Sequence, residues 1–253
     1  MITFRLARDD EDEVLARLLY NAFRLNWGTN WEHDLSTPLP PVPTLPQSDE
    51  SIVGPASSRL ALWRATLPLT RRLGGDINVA IPPGTNSPAA VVCYLPPGVR
   101  PRYLSLLLSG WISAFLRLGL KTAYRFREDF ELGERLWPPV LKPLGERYDT
   151  GAYVLVVGTN PEHAGHGYAG RLLQWRLERH DRECPKVPVY LETATDHAQR
   201  VYERLGFEEM VRKRVMLPSV DERGCKLDLS IKTDQPDGAD KPYFALRCVR
   251  YAP

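Results

Sequence analysis

A run of small residues in the second half of the chain has the composition of a phosphate-binding turn. From Asn160 to Gly170 the sequence reads NPEHAGHGYAG, with glycine or alanine at 164, 165, 167, 169 and 170. Small side chains let a ligand approach the backbone closely, and the residues that follow have the apolar spacing of a helix. Free amide N–H groups and the positive end of that helix would then point to one spot, which suits a diphosphate.

The glycines of this turn also match a different pattern, the dinucleotide fingerprint GxGxxG, at 165, 167 and 170. Glu192 even lies near the distance expected for its ribose-binding acid. In a dinucleotide-binding unit, however, the first glycine follows its strand almost at once, whereas Gly165 comes seven positions after Gly158. Only 60 residues follow position 193, too few for the second half of a doubly wound sheet. The fingerprint is therefore a chance match.

Several titratable side chains near the turn are candidates for proton transfer. Glu192 stands in an apolar run, where a carboxylate is costly unless it is paired or used. It is therefore a candidate general base or a structural hydrogen-bonding partner. His163 and His166 are candidates because histidine is a common proton-transfer residue, but they belong to the turn itself, where we expect them to face solvent or phosphate. His197, just ahead of the next helix, is a further candidate base.

These residues need a scaffold, and the hydrophobic periodicity predicts alternating strands and helices. Strands are expected at 2–7, 77–81, 89–95, 153–157, 187–193, 208–217 and 243–251. Asp9 and Asp10 precede the first expected helix, whose apolar pattern reaches Phe23. Further helices are expected at 58–67, 102–124, 128–136, 168–183 and 198–205. The prolines of WPPVLKP, residues 137–143, are expected to end the helical region before the central strand.

Two segments are unusual. Residues 36–47 carry prolines at 38, 40, 41, 43 and 46, so we expect an extended loop, either a surface excursion or a lid over a substrate. Residues 103–116 carry no charge, but these 14 residues fall short of the roughly 20 that span a bilayer. We expect them to pack as a helix against the core; a surface for a greasy substrate or a membrane interface is the alternative.

The composition excludes several classes of protein. With 43% hydrophobic and 25% charged residues the chain is too apolar to stay unfolded, and a net charge of +2 gives no reason to expect a nucleic-acid partner. Four widely spaced cysteines, none in a CxxC pair, predict free thiols in a reducing compartment and no metal site. The charged N-terminus lacks the apolar run of a signal peptide, so we expect a cytoplasmic protein.

The stretch from Tyr153 to Phe207 resembles the GNAT (GCN5-related N-acetyltransferase) family. Residues 164–169, AGHGYA, stand where that family has the diphosphate loop Gln/Arg-x-x-Gly-x-Gly/Ala, and VGTNP at 157–161 matches the end of the preceding strand. YLET at 190–193 and VYERLGF at 201–207 are similar to the puromycin N-acetyltransferase-like branch. The likeness to that branch is looser over residues 77–100.

The resemblance implies an α/β (α+β) fold with a mixed, mostly antiparallel central sheet flanked by helices. Two central strands, 153–159 and 187–193, would run parallel and splay apart around the cofactor helix. We expect a single domain over residues 1–253, with a proline-rich loop insertion at about 36–57 and a long loop at about 218–241.

The resemblance also implies an activity: transfer of an acetyl group from acetyl-CoA to an amine of a small molecule, directly in a ternary complex. It assigns the proton donor to Tyr202, whose phenol stays protonated at neutral pH; simple packing against Phe207 is the alternative. Glu192 becomes the candidate base. The main chain of Val157 and Thr159 would contact the cofactor arm. The diphosphate would lie on Ala164, Gly165, His166, Gly167, Tyr168, Ala169 and Gly170.

Two positions depart from the family pattern. Ala164 replaces the usual Gln or Arg, and Ala198 stands where relatives often carry an Asn that contacts the cofactor arm. A non-catalytic or repurposed acyl-CoA-binding protein is therefore an alternative, as is acetylation of a protein or peptide amine. No metal is expected, and the protein would be a monomer or homodimer.

Overall fold

A mixed sheet of seven strands forms the centre of the molecule in the computed structural model, which describes residues 1–47, 51–101, 103–227 and 238–249. The strand order is β1-β2-β3-β4-β5-β7-β6, and only β4 and β5 run parallel. The strands are β1 (Thr3–Leu6), β2 (Asp76–Ile81), β3 (Ala90–Leu95), β4 (Ala152–Thr159), β5 (Val189–Thr193), β6 (Glu208–Pro218) and β7 (Gly238–Cys248). The expected fold class, a mostly antiparallel sheet with a central parallel pair, is confirmed.

Helices cover both faces of this sheet. They are α1 (Asp12–Ala22), α2 (Trp27–Glu32), α3 (Gly54–Arg72), α4 (Tyr103–Leu108), α5 (Trp111–Leu118), α6 (Leu120–Leu141), α7 (Tyr168–Glu183) and α8 (Asp196–Arg204). Helix α7 buries Leu172, Leu173 and Leu177 against one face, while α1 and α3 pack on the other. The core is thus divided by the sheet, and α6 adds a smaller cluster over β5 and β7 around Trp137.

The parallel pair separates soon after it begins. Strand β4 pairs with β5 only at Ala152 and Tyr153, although β4 continues to Thr159. On its other side, β4 carries an extra residue: Cys93 of β3 pairs with Val156 and Tyr94 with Val154, which leaves Leu155 unmatched. Such a bulge bends a strand and increases its twist. The bulge coincides with the point where β4 leaves β5, so a gap opens between the two strands.

The helical region before β4 differs from the prediction. Instead of helices at 102–124 and 128–136 there are three, separated at Gly110 and Gly119, whose φ angles of 86° and 87° interrupt a right-handed helix. The expected break over residues 137–143 is wrong, because α6 continues through Pro138 and Pro139 to Leu141. Tertiary packing outweighs the prolines here, since Trp137 and Leu141 are almost completely buried.

The uncharged segment 103–116 lies partly against the core and partly in solvent. Ser109 and Ala114 are buried, whereas Leu104 and Leu116 are 66% and 79% exposed. None of the described helices combines the length and apolarity needed to cross a bilayer.

The proline-rich segment packs along α1. The carbonyl oxygens of Pro40, Val42 and Pro43 accept hydrogen bonds from Tyr20, Asn21 and Arg17. Residues 48–50 of this loop lie outside the described residues. So do residues 228–237 of the loop expected at 218–241 and the end of the strand expected to reach 251.

Candidate active site

The turn between β4 and α7 has the geometry that its glycines predict. Gly165 and Gly167 adopt φ angles of +80° and +71°, the left-handed region that favours glycine, and a Cβ atom on either would meet no heavy atom within 4 Å. Gly167 is also the N-cap residue, directly before the first residue of α7. The turn is therefore open on its outer side.

The paired backbone amides of this turn end at Ala164, which donates to the Pro161 carbonyl oxygen at 3.1 Å. The first amide to donate within the helix belongs to Arg171, which bonds the Gly167 carbonyl oxygen at 3.1 Å. None of the six amides from Gly165 to Gly170 donates to a protein acceptor in the part of the chain that the structure describes. These donors stand at the positive end of a 16-residue helix. The arrangement fits a diphosphate group.

The side chains of the turn lie where the sequence places them. His166 is exposed, His163 is half-buried, and both rings contact the ring of Tyr168, with centroids 5.9 and 5.8 Å away. Ala164 is exposed at the end of a short 3-10 turn over Pro161–His163. It offers no polar side chain to a ligand.

The gap between β4 and β5 presents free backbone donors. Asn160 donates its amide to the Ala89 carbonyl oxygen on the β3 side, at 2.8 Å. Successive amides of a strand alternate in direction, so those of Val157 and Thr159 point to the opposite side, toward β5. Because β5 has already diverged there, both amides face the gap.

Tyr202 lies on α8 and packs against the core near this strand pair. Its ring meets Phe207 edge-on at 5.9 Å. Burial raises the pKa of its phenol, so the hydroxyl stays protonated at neutral pH. Among the described residues the hydroxyl has no hydrogen-bonding partner. It is therefore a phenol whose proton is free to be donated.

The carboxylate of Glu192 is held by two donors from other elements. Trp137 of α6 donates its indole N–H to Oε1 at 2.5 Å, and Tyr153 of β4 donates its hydroxyl to Oε2. Burial raises the pKa of Glu192, and the hydrogen bonds from Tyr153 and Trp137 oppose that rise. The group is therefore both anchored and less acidic than an exposed glutamate.

A second polar layer supports Tyr153. The guanidinium of Arg100 lies 4.4 Å from the ring centre of Tyr148 and 4.9 Å from that of Tyr153. Arg100 also donates to the carbonyl oxygens of Gly151 and Tyr148. It lowers the pKa of Glu192 through its charge, although less than the two hydrogen bonds do.

Sequence reasoning missed Arg100, Tyr148 and Tyr153. Tyr153 sits at an alternating position of a central strand, which puts its side chain on the same sheet face as Glu192 of β5, and that is the signal that could have found it. His197 is exposed at the start of α8 and, among the described residues, makes no hydrogen bond with the Glu192 cluster. In the described residues no three His, Cys, Asp or Glu side chains are grouped closely enough to hold a metal.

A cleft opens beside the Glu192 cluster, between α2, α6, β6 and β7. It has a volume of about 160 Å³. Its walls are Trp27, Trp31, Glu128, Leu132, Arg135, Val215, Leu217 and Tyr243. A Cβ atom on Gly133 of α6 would lie 3.3 Å from the Tyr243 hydroxyl and 3.4 Å from Oε1 of Glu192. Tyr243 thus borders both the cleft and the glutamate.

Comparison with known proteins agrees with this geometry. Residues 141–209 match the family model for the acetyltransferase (GNAT) domain, which includes the turn, α7, β5 and α8. A segment of 61 residues is 43% identical to mycothiol acetyltransferase of Brachybacterium faecium; it covers 24% of this chain and 18% of that relative. The match therefore spans less than a fifth of the curated relative.

The likeness to solved structures extends over the whole chain. A mosquito arylalkylamine N-acetyltransferase like 5b superposes with a TM-score of 0.56 at 16% identity, covering 98% of this chain and 99% of that one. A Drosophila melanogaster polyamine N-acetyltransferase gives 0.51 at 17% identity, covering 97% and 99%. At such identities the likeness concerns the fold. Together with the family match over residues 141–209, it shows that the chain has the GNAT fold.

Proposed function

We propose that this protein is an N-acetyltransferase that moves an acetyl group from acetyl-CoA to an amine of a small molecule, directly in a ternary complex. The observation that carries the proposal is the row of six unpaired amides at the start of α7 beside the gap between β4 and β5. A diphosphate on the turn leaves the gap free for the thioester arm. We take residues 1–253 as one domain.

The backbone does most of the cofactor binding in this proposal. The amides of Gly165 to Gly170 hold the diphosphate through hydrogen bonds and the helix dipole, and Ala164, whose own amide donates to the Pro161 carbonyl oxygen, borders the diphosphate. The amides of Val157 and Thr159 bind the arm in the gap, where they also place donors near a carbonyl oxygen that gains charge. Acetyl-CoA supplies the activated acetyl group as a thioester.

Two side chains move protons. Glu192 takes the proton of the acceptor amine, directly or through water, because the neutral amine is the nucleophile. Its raised pKa brings it closer to the pH at which a base works best. Tyr202 donates its phenolic proton to the departing thiolate, for which a group that is protonated at neutral pH is required.

A small-molecule acceptor is supported by two of the structural relatives, which are named for arylalkylamines and for polyamines. The YLET and YERLGF segments support a place near the puromycin N-acetyltransferase-like branch. Four free cysteines are consistent with the cytoplasmic location that we retain in the proposal, for a monomer or homodimer that needs no metal.

Two measurements test the proposal. Acetyl-CoA should raise the melting temperature of the purified protein, and a thiol-release assay with a panel of amines should then show turnover. A protein that acetyl-CoA stabilises but that releases no thiol with any amine or peptide is instead a non-catalytic binder. The Ala164 and Ala198 departures favour that second function. A protein that acetyl-CoA does not stabilise contradicts both.

A further inference from the structure

The size and lining of the cleft beside Glu192 indicate which class of amine binds there. We propose that the acceptor is a primary amine carried by one aromatic ring or by a branched alkyl group of similar size, with that group held in the cleft. This inference rests on the proposed function and narrows its substrate class.

Three elements contribute apolar walls to the cleft. Trp27 and Trp31 come from α2, Leu132 from α6, and Val215 and Leu217 from β6. Leu217 is 3% exposed, and both tryptophans pack with it in one apolar cluster. Rings and branched alkyl groups gain free energy on leaving water for such a surface.

The size of the cleft limits the acceptor. Its volume of about 160 Å³ is close to the ~150 Å³ of an engineered apolar cavity that binds benzene. One six-membered ring or a short branched chain therefore fills it.

The charges of the cleft argue against a second cation on the acceptor. Glu128 and Arg135 are both exposed, at the solvent side, and they carry opposite charges. Glu128 also accepts a hydrogen bond from Tyr124 at 2.8 Å. Glu128 is the one carboxylate among the described walls, and Arg135 offsets its charge, so a distal ammonium or guanidinium would lose its hydration without meeting a net negative charge.

The inner end of the cleft orients the amine. Tyr243 is 7% exposed, and its hydroxyl lies beside the same point of α6 as Oε1 of Glu192. Trp27 donates its indole N–H to the carbonyl oxygen of Ala194 at 2.7 Å, which fastens the cleft wall to the end of β5. A ring in the cleft can therefore direct its amine past Tyr243 toward Glu192.

The test is a comparison of acceptors at saturating acetyl-CoA: benzylamine, 2-phenylethylamine and isoamylamine against putrescine and agmatine. The three apolar amines should exceed the two dications in kcat/KM by about ten-fold or more. Equal values, a preference for the dications, or binding of acetyl-CoA without turnover of any amine would overturn the acceptor class while leaving cofactor binding intact. Failure to bind acetyl-CoA would overturn the proposed function itself.

A variant that fills the cleft tests the proposal without comparing different amines. Leu132→Trp should raise the KM for 2-phenylethylamine by about ten-fold or more and leave stabilisation by acetyl-CoA unchanged. Leu116→Trp, the same change on the exposed face of α5, is the matched control and should alter neither. If both variants behave alike, the ring does not occupy the cleft.

Discussion

The indole N–H of Trp137 donates to Oε1 of Glu192 over 2.5 Å and so fastens helix α6 to the inner end of strand β5. The contact requires α6 to continue to this point, one residue before its two prolines. Tyr153 donates a hydrogen bond to the other oxygen, so both carboxylate oxygens of Glu192 are held in place. The base proposed for the reaction is therefore oriented before any substrate binds.

We predict that Glu192→Gln removes the acidic limb of the pH–rate profile. Burial raises the pKa of Glu192, and the base must be ionised to accept a proton. In the wild type, kcat/KM should therefore fall as the pH drops through this raised pKa. Glutamine has no such ionisation and should lower kcat by about 100-fold at neutral pH. The profile of thiol release against pH measures both effects.

Glu178→Gln is the control for this change, because Glu178 is exposed on α7 and should leave rate and profile unaltered. A Glu192→Gln enzyme that keeps the rate and the acidic limb would assign Glu192 a structural role only.

We predict that Tyr202→Phe lowers kcat by about ten-fold or more and leaves acetyl-CoA binding intact. The phenylalanine ring preserves the contact with Phe207, and no protein partner of the hydroxyl is lost among the described residues. A melting curve with and without acetyl-CoA separates the loss of a proton donor from a loss of binding. Full activity of this variant across the pH range would show that another group protonates the thiolate.

The elements that carry the proposed cofactor site were predictable from the sequence because their signals are local. The glycine turn, α7 and β5 follow each other within about 40 residues, and each has its own periodicity or turn residues. Strand alternation places Tyr153 on the same sheet face as Glu192, but the sequence could not pair Glu192 with its two hydrogen-bond donors. Tyr153 and Trp137 lie 39 and 55 residues away along the chain, and only tertiary packing brings them together.

The bulge at Leu155 and the continuation of α6 through its prolines had no sequence signal either. Both are cases in which packing outweighs local preference.

We predict that Ala164→Arg strengthens acetyl-CoA binding. Ala164 is exposed beside the six free amides, so a guanidinium there can reach the diphosphate and add a charge-assisted hydrogen bond. The dissociation constant should fall by about ten-fold, which corresponds to about 1.4 kcal/mol. Isothermal titration with acetyl-CoA measures the dissociation constant, and raising the salt concentration should reduce the gain in affinity.

Arg171→Ala, a substitution at an exposed position on the first turn of α7, tests whether a natural arginine already binds the diphosphate. An unchanged dissociation constant for Ala164→Arg would mean that the diphosphate does not lie on this turn.

We predict that the protein loses stability between pH 6.5 and pH 5 through His33, which is 7% exposed. Burial, together with the charge of Arg59, lowers the pKa of His33 to about 3. In the unfolded chain the pKa is about 6.5, so falling pH protonates the unfolded state first and favours it. At pH 5 the expected loss is about 2 kcal/mol of unfolding free energy.

His33→Gln should remove that part of the pH dependence. The pKa of His180 is also lowered by burial, so a smaller loss of the same sign remains. Urea unfolding at pH 7 and pH 5 measures the difference, with His166→Gln as the exposed control. Parallel losses in the wild type and in His33→Gln would show that His33 is not held neutral in the folded protein.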